Sequence, residues 1–287
     1  MAQILSGKPL ANEMLEDLTI RAEALKAAGV VPTLAIVRVG NDEEKIAYER
    51  GATQRCGKAG IEVRHIVLNA SVGEDELVSM IEEINRDDSV HGCSIPLPLP
   101  EHINSRRVCD ALCPQKDVDA VSSRSLGCLF MGRKGFSPCA AQACINMLDY
   151  YGLKIEGRNV CVVGRSLVVG RPVSMLMLCR NATVTVCHTR TENLAEKCRG
   201  ADILITAAGQ AGLISPDYVN QKQIVLDVGI NVNEAGKLCG DSDFDALESI
   251  VSAITPVPGG IGIVASTLLA QHVIEAAENL SGHGSPD

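Results

Sequence analysis

The chain is poor in aromatic side chains and has no excess of positive charge. Its 287 residues include no Trp, three Phe and four Tyr, and 35 acidic residues outnumber 26 basic ones, for a formal net charge of −9. Binding to DNA or RNA needs a basic surface, and single strands are held largely by stacking on aromatic rings. The composition argues against a nucleic-acid-binding protein, so we expect no nucleic-acid partner.

Long apolar stretches are also missing. No apolar run approaches the roughly 18 residues that a membrane-spanning helix needs. The first ten residues, MAQILSGKPL, lack the charged segment followed by an apolar segment that marks a secretory signal. We therefore expect no membrane partner and a cytoplasmic location.

Cysteine is abundant, but the spacings typical of metal sites are absent. None of the twelve cysteines forms a C-x-x-C pair, and none has a histidine at a zinc-finger distance. Cys93, Cys161 and Cys187 lie within apolar, strand-like runs, where cysteine behaves as a small hydrophobic residue. We expect reduced thiols and no metal site.

The chain does contain a repeated alternation of strand and helix patterns. Strand patterns cover residues 32–39, 61–68, 90–95, 160–163, 182–187, 201–206 and 224–228, and helix patterns cover 43–59, 74–85, 172–180 and 265–280. Repeated βα units predict an α/β fold with a mostly parallel sheet and helices on both faces. Ligands of such sheets bind beyond the carboxyl ends of the strands.

The most informative stretch is NVCVVGRSLVVGRP, residues 159–172. An apolar run ends at Gly164, Arg165 and Ser166 follow, and a second glycine, Gly170, precedes Pro172, where a helix could begin. Such a turn lets backbone N–H groups approach a phosphate, and the helix N-terminus adds a favourable dipole. Ser166 stands where the usual dinucleotide fingerprint has a glycine. The stretch predicts nucleotide binding, and an ordinary strand-to-helix turn is the alternative.

The end of the next strand favours NADP over NAD. Residues 182–187 are followed by His188, Thr189, Arg190 and Thr191, with no carboxylate to accept from the ribose hydroxyls of NAD. Arg190 and Arg165 could instead face a 2′-phosphate. Alternatively, Arg190 is a solvated loop residue with no ligand.

Four further segments occur in a fixed order around this turn. They are VGNDEEKIAY, which ends at Tyr48, HGCSIPLPLP (91–100), PQKDVDA (114–120) and TPVPGGIG (255–262). Together with residues 182–191, 201–209 and 225–231, they resemble the methylenetetrahydrofolate dehydrogenase/cyclohydrolase family over about residues 5–280. The resemblance implies oxidation of 5,10-methylenetetrahydrofolate to the methenyl form by hydride transfer to NADP. The family usually then hydrolyses this product to 10-formyltetrahydrofolate.

The resemblance also implies an architecture. We expect an α/β protein with two domains flanking a cleft, the second a Rossmann-like parallel sheet, and a homodimer as the assembly. Residues 1–139, completed by the C-terminal helix and tail at 265–287, would form the folate-binding catalytic domain. Residues 140–264 would form the NADP-binding domain.

Individual site residues follow from the same resemblance. Asp119, in KDVD, matches the pterin-binding aspartate, and Tyr48 matches the tyrosine that stacks on the aminobenzoyl ring. For each, the alternative is a capping or packing role. The substrate loops would contribute Leu97, Pro98, Pro258, Gly259 and Gly260, and the cofactor would be held by Gly164, Arg165, Ser166, Thr189, Arg190 and Ile230.

The folate half departs from the family pattern at several positions. These are Ala52 in place of the family's catalytic lysine, Lys45 in place of a serine, Pro96 in place of a glutamine, and Ile263, Val264 and Ala265 in place of Pro-Met-Thr. Loss of a general acid or base typically costs about 10²–10⁴-fold in rate. We therefore expect a dehydrogenase whose cyclohydrolase activity is weak or lost.

Three alternatives stay open at this point. Lys45 lies three residues before Tyr48 and projects toward the same helix face, so it could act as a catalytic residue in a fully bifunctional enzyme. The same fold could also take a different one-carbon carrier. Finally, the chain could be a non-catalytic homologue that binds folate or nucleotide.

Overall fold

The computed structural model describes residues 1–233 and 236–283, which form two compact units. Among the described residues, one unit comprises 1–11 and 140–265, and the other comprises 12–139 and 266–283. Residues 284–287, which we expected to belong to the folate-binding domain, lie outside the described residues, as do 234 and 235. The two units are considered separately below.

The described residues form eleven strands and ten α-helices. The strands are β1 (Gln3–Ile4), β2 (Thr33–Val39), β3 (Glu62–Leu68), β4 (Gly92–Ser94), β5 (Asn159–Val163), β6 (Thr183–Cys187), β7 (Ile203–Thr206), β8 (Ile224–Asp227), β9 (Asn231–Val232), β10 (Leu238–Cys239) and β11 (Ala253–Ile254). The helices are α1 (Lys8–Ala27), α2 (Glu43–Lys58), α3 (Glu74–Arg86), α4 (Ser105–Ala111), α5 (Ser123–Phe130), α6 (Cys139–Tyr150), α7 (Gly170–Cys179), α8 (Leu194–Arg199), α9 (Phe244–Leu247) and α10 (Ile261–Leu280).

The unit around Asn12–Cys139 contains a three-stranded parallel sheet in the order β3-β2-β4. Every residue of β2 is buried, as expected for the central strand of a parallel sheet covered on both faces. On one face, Val37 and Val39 belong to the same core cluster as Leu77 and Ile81 of α3. The spacing of the buried α3 residues produces one apolar stripe, which packs onto the sheet.

The other unit contains a six-stranded parallel sheet in the order β1-β11-β8-β7-β5-β6. Chain order reverses at β5, because β6 pairs on one side of it and β7 on the other. Such a reversal is the topological switch point at which α/β sheets bind ligands. The carboxyl ends of β8, β7, β5 and β6 therefore line one edge of the sheet in that order. A short antiparallel pair, β9 and β10, follows β8.

The α/β fold with two domains and a Rossmann-like parallel sheet is confirmed. Three boundaries differ from the sequence patterns. Residues 1–11 belong to the unit of the six-stranded sheet, because Gln3 and Ile4 pair in register with β11. Helix α7 begins at Gly170, so Pro172 lies in its first turn. Proline is tolerated there because the N–H that it lacks would have no partner within the helix.

Helix α10 begins at Ile261, within the expected loop, because no proline follows Pro258 to block it. The functional assignment of the two domains stays a prediction. No helix in the described residues is long and apolar enough to cross a membrane.

Candidate active site

Two of the predicted folate-binding residues form a hydrogen-bonded pair. The Tyr48 hydroxyl, on α2, donates to Asp119 Oδ2 at 3.1 Å and lies 3.3 Å from Ser94 Oγ at the end of β4. The Tyr48 side chain as a whole is 41% exposed. Burial of its hydroxyl end, followed by the negative charge of Asp119, raises the pKa of Tyr48 well above its usual value. The hydroxyl therefore stays protonated and acts as a donor to the carboxylate.

Asp119 is the half-buried end of a motif whose other members are buried and anchored. Buried Lys116 donates its ammonium group to the carbonyls of Ile84 (2.8 Å), Asn85 (3.1 Å) and Asp87 (2.8 Å) at the C-terminus of α3. This arrangement satisfies carbonyls that a helix end leaves unpaired. The fully buried Asp117 carboxylate accepts from the backbone N–H groups of Val121 and Ser122 and from the Ser125 hydroxyl, all at the start of α5.

The backbone carbonyl of Val118, between Asp117 and Asp119, is bonded to a side chain of α10. His272 Nδ1, on α10, donates to this carbonyl at 2.7 Å, and Cys139 Sγ lies 3.6 Å from both groups. Burial lowers the pKa of His272, so the ring is neutral and carries its proton on Nδ1. Burial also raises the pKa of Cys139 well above the usual value, which keeps its thiol protonated and unreactive.

The face of α2 that carries Tyr48 contains no acid–base group one turn further on. Ala52 is 2% exposed, and the buried stripe continues through Cys56 and Ala59, so the alanine is an ordinary core residue of this helix. Lys45, three residues before Tyr48, is half-buried. It lies on the same helix face as Tyr48 because residues three apart are neighbours on a helix.

The residue after Tyr48 belongs to a charged cluster on another face of α2. The Glu49 carboxylate lies 2.5 Å from both Arg38 Nε of β2 and His65 Nδ1 of β3. Burial alone would raise the pKa of Glu49, but the hydrogen bonds from Arg38 and His65 outweigh it and lower the pKa. This cluster ties three elements together beside the site and is not predicted from the sequence.

The predicted substrate loops are divided between the two units. Leu97 and Pro98 follow β4 in the unit of Tyr48, where Leu97 is half-buried, Pro98 is exposed and Pro96 is buried. Pro258, Gly259 and Gly260 belong to the other unit. Their common role in substrate binding stays a prediction.

The segment with Gly259 and Gly260 is held tightly within its own unit. Gly7 donates its backbone N–H to the Gly259 carbonyl at 2.8 Å. A Cβ at Gly7 would lie 2.2 Å from the Gly260 carbonyl oxygen, and one at Gly260 would lie 2.5 Å from the carbonyl oxygen of Pro256. Neither position has room for a side chain, which explains Gly7 and Gly260.

The predicted cofactor residues follow three parallel strands of the six-stranded sheet, β8, β5 and β6, with β7 between β8 and β5. Arg165 and Ser166 follow β5, Thr189 and Arg190 follow β6, and Ile230 follows β8. All five are exposed at the edge formed by the carboxyl ends of these strands, and Ile230 is 69% exposed. The strand order therefore puts the Arg165–Ser166 turn between the other two groups.

The turn after β5 is built by two glycines that contact backbone. Gly164 has φ +135°, and a Cβ there would lie 2.2 Å from the Ala207 carbonyl oxygen. A Cβ at Gly170 would lie 2.2 Å from the carbonyl oxygen of Gly164. The Ser166 hydroxyl accepts from the N–H groups of Val169 (3.1 Å) and Gly170 (3.4 Å), so it caps the start of α7. This cap explains a serine in place of the expected glycine.

The arginine after β6 lies in an ordered turn. His188 Nδ1 accepts from the backbone N–H of Arg190 at 3.1 Å, and the His188 N–H donates to the Thr191 hydroxyl at 2.8 Å. The sequence predicts a cofactor contact for Arg190 but no role for His188, whose ring holds the turn. The sequence also predicts no role for Ser94, in HGCSIPLPLP, or for Lys116 and Asp117, in PQKDVDA, although these segments carry the resemblance.

The fold and these residue groups define a class, a two-domain α/β enzyme with a nucleotide-binding type of parallel sheet. Residues 5–119 match the tetrahydrofolate dehydrogenase/cyclohydrolase catalytic domain, and residues 138–281 match the NAD(P)-binding domain of the same proteins. The chain therefore belongs to the tetrahydrofolate dehydrogenase/cyclohydrolase family, and the resemblance seen in the motifs is confirmed.

Individual relatives are similar to this chain over nearly its whole length. Bifunctional protein FolD of Clostridium botulinum is 43% identical over 282 residues, covering 98% of this chain and all of the relative. The structure of the bifunctional FolD dehydrogenase/cyclohydrolase of Campylobacter jejuni has a TM-score of 0.94 at 36% identity, covering 97% of this chain and 99% of the other. The Trypanosoma brucei dehydrogenase-cyclohydrolase, solved with NADP and an inhibitor, has a TM-score of 0.92 at 29% identity, covering 97% and 98%.

Proposed function

We propose that the protein oxidises 5,10-methylenetetrahydrofolate to 5,10-methenyltetrahydrofolate with NADP⁺, and that its cyclohydrolase activity is weak or lost. One observation carries this proposal. Tyr48 is hydrogen-bonded to Asp119 on a helix face whose next turn presents only the buried methyl group of Ala52. The pair that we propose binds the substrate is thus present, while Ala52, at the position of the family's catalytic lysine, has no polar side-chain atom.

The Tyr48–Asp119 pair would bind and orient the folate. The Asp119 carboxylate has lone pairs beyond the one that accepts from Tyr48, so it can accept paired hydrogen bonds from the pterin ring. The exposed Tyr48 ring can stack on the aminobenzoyl group. Because Lys116 and Asp117 anchor the motif, Asp119 would be positioned before the substrate arrives.

The oxidation step asks little of acid–base groups. Bound NADP⁺ would supply the carbon that accepts the hydride. The bridging carbon between N5 and N10 loses a hydride and becomes the methenyl cation, so no proton is transferred. The chain's residues need to hold the bridging carbon in line and tolerate the positive charge, for which the Asp119 carboxylate has the right sign.

The edge of the six-stranded sheet fits the cofactor. At Gly164 and Gly170 the backbone lies so close to neighbouring backbone that no Cβ would fit. A turn without side chains at these positions also lets a phosphate approach its N–H groups. Arg165 and Arg190 would face the 2′-phosphate that distinguishes NADP from NAD. The related Trypanosoma brucei enzyme, solved with NADP, supports the same preference.

Hydrolysis of the methenyl product needs more than orientation. Water must attack the methenyl carbon and lose a proton, and a ring nitrogen must gain a proton as its C–N bond opens. Ala52 can neither take nor give one. Loss of such a group typically costs about 10²–10⁴-fold.

A fully bifunctional enzyme is the second candidate. It is favoured by the relatives described as bifunctional and by Lys45, which lies half-buried on the face of Tyr48. In that case Lys45 would move the proton from the preceding turn of α2.

Two assays with matched variants test these candidates. NADPH absorbance is followed after adding 5,10-methylenetetrahydrofolate with NADP⁺ or NAD⁺, and loss of methenyltetrahydrofolate is followed separately. We expect turnover with NADP⁺ to exceed that with NAD⁺, hydrolysis by the wild type to be slow, and Ala52→Lys to raise hydrolysis up to about 10²-fold. Ala47→Lys, an exposed position of the same helix, should change nothing.

The remaining outcomes separate the alternatives. Fast hydrolysis that is lost in Lys45→Ala but not in Lys58→Ala supports the second candidate. Fast hydrolysis that survives Lys45→Ala contradicts both. Tight NADPH binding without oxidation would indicate a different one-carbon carrier or a non-catalytic binding protein. We also propose a homodimer, on the family resemblance alone, for which light scattering should give twice the 30.4 kDa chain mass.

A further inference from the structure

One buried carboxylate bonds to both loops that follow the central strands β7 and β8. Asp241 is fully buried, just after β10. Its four hydrogen-bond donors are the backbone N–H groups of Ala208 (2.6 Å), Gly209 (3.3 Å) and Gln210 (2.9 Å) and the side-chain amide of Asn231 (2.9 Å). A single side chain thus ties the loop after β7 to the residue that directly follows Ile230.

Asp241 is itself held by the end of β8. The carboxylate of Asp227, the last residue of β8, accepts from the N–H groups of Gly229 (2.9 Å), Asp241 (3.1 Å) and Ser242 (2.7 Å). A Cβ at Gly229 would lie 2.3 Å from Asp241 Oδ1, so this position must be a glycine. The Asp241 carboxylate is therefore fixed relative to the strand from which the Ile230 loop leaves.

This arrangement lies at one end of the edge that would hold the cofactor. The order β8-β7-β5-β6 puts Arg190, after β6, three strand spacings away from Ile230, after β8. At about 4.8 Å per spacing, the two loops are roughly 14 Å apart along the edge. If the 2′-phosphate lies at Arg190, the adenosine half of the dinucleotide lies over β6 and the nicotinamide half over β7 and β8.

We propose that Asp241 is a positioning residue for the nicotinamide half of the cofactor. This proposal rests on the proposed function, because the direction of the bound dinucleotide is inferred from the proposed contact between Arg190 and the 2′-phosphate. By bonding the backbone of residues 208–210 and Asn231, Asp241 fixes both walls of the nicotinamide end and holds Ile230 out from the sheet edge. It touches no part of the adenosine end.

Replacing the carboxylate by an amide breaks this arrangement selectively. In Asp241→Asn one oxygen becomes an NH₂ group, which faces backbone N–H donors and cannot accept from them. Residue 241 then loses two of its four bonds, either those to Ala208 and Gly209 on Oδ2 or those to Gln210 and Asn231 on Oδ1. Asn231→Ala removes one donor at a half-buried position and leaves the carboxylate with its three backbone partners.

The test compares a whole dinucleotide with its adenosine half. NADPH binding is measured by nucleotide fluorescence, which a chain without Trp leaves undisturbed, and adenosine 2′,5′-bisphosphate is measured by its competition with NADPH. For Asp241→Asn we expect NADPH to bind about tenfold more weakly, with the bisphosphate within about twofold of the wild type. A misplaced nicotinamide should also lower kcat by up to about 10²-fold.

The controls separate positioning from folding and from the proposed function. Asp243→Asn, a matched amide substitution that keeps an oxygen able to accept from Ala246 N–H, should leave both ligands unchanged, and Arg190→Ala should weaken both. Asn231→Ala should weaken the binding of NADPH, but not that of the bisphosphate, by about threefold. This variant provides the test if Asp241→Asn does not fold. Equal weakening of both ligands, or of neither, in the folded variants overturns the positioning role. A wild type that binds no NADPH overturns the proposed function instead.

Discussion

At the scale of residues, the KDVD motif divides anchoring from binding. Lys116 bonds three carbonyls of α3, Asp117 bonds the start of α5, and Val118 is buried. Only Asp119 is directed to Tyr48. Adjacent side chains thus have different partners, and the two aspartates should respond differently to the same substitution.

Asp119→Asn should reduce activity and leave stability unchanged. Asp117→Asn should instead reduce stability and leave the activity of the folded protein unchanged. Hydrogen bonds to charged groups are worth about 1.5–3 kcal/mol each, so loss of the carboxylate that we propose binds the pterin should lower kcat/KM for the folate by about 10²-fold. Asp117 is buried with three donors, and its loss should cost about 2–3 kcal/mol in the free energy of unfolding. Kinetics and urea unfolding of both variants check this, and a stable Asp117→Asn protein would contradict the anchoring role.

At the scale of elements, the connection from β5 to α7 depends on backbone contact. Gly164 and Gly170 allow the strand end, the turn and the helix start to approach within van der Waals distance of backbone atoms. The Ser166 hydroxyl then satisfies the N–H groups of Val169, the residue before α7, and of Gly170, its first residue. The geometry of this turn is therefore sensitive to a single methyl group.

Gly170→Ala should weaken NADPH binding by at least tenfold and destabilise the protein by about 1–3 kcal/mol, because its Cβ would press on the Gly164 carbonyl. Gly127→Ala is the matched control, since Gly127 lies inside α5 with nothing within 4 Å of a Cβ. It should raise the free energy of unfolding by about 0.5–1 kcal/mol. Thermal melts and NADPH titration of the two variants measure both effects, and a Gly170→Ala protein with wild-type affinity would refute the close-packing argument.

At the scale of the whole molecule, the excess of acidic residues makes the behaviour in acid informative. Glu49 has a lowered pKa through Arg38 and His65, so folding favours its charged form. Its contribution is fully present above the pKa of an unfolded glutamate, and it disappears as the pH falls through the lower folded value. The cluster joins β2, α2 and β3, so its loss should loosen the sheet beside the site.

Glu49→Gln should therefore lower the melting temperature at pH 7, and the difference from the wild type should shrink as the pH falls below about 4. Glu62→Gln, at an exposed position at the start of β3, should follow the wild type throughout. Thermal melts across pH 3–7 test this. A difference that stays constant with pH would mean that the charge of Glu49 does not stabilise the fold.

The amino-acid sequence by itself determined the βα alternation, the turn at Gly164 and the family, since these depend on apolar periodicity and on motifs of a few neighbouring residues. It also named Tyr48 and Asp119, though not the bond between them. Only the tertiary structure decided that β1 pairs with β11, that Lys116 caps α3 and that Asp241 joins two loops. These contacts join residues of different elements, from 10 to about 250 positions apart, and a periodic pattern reports only on residues within one element.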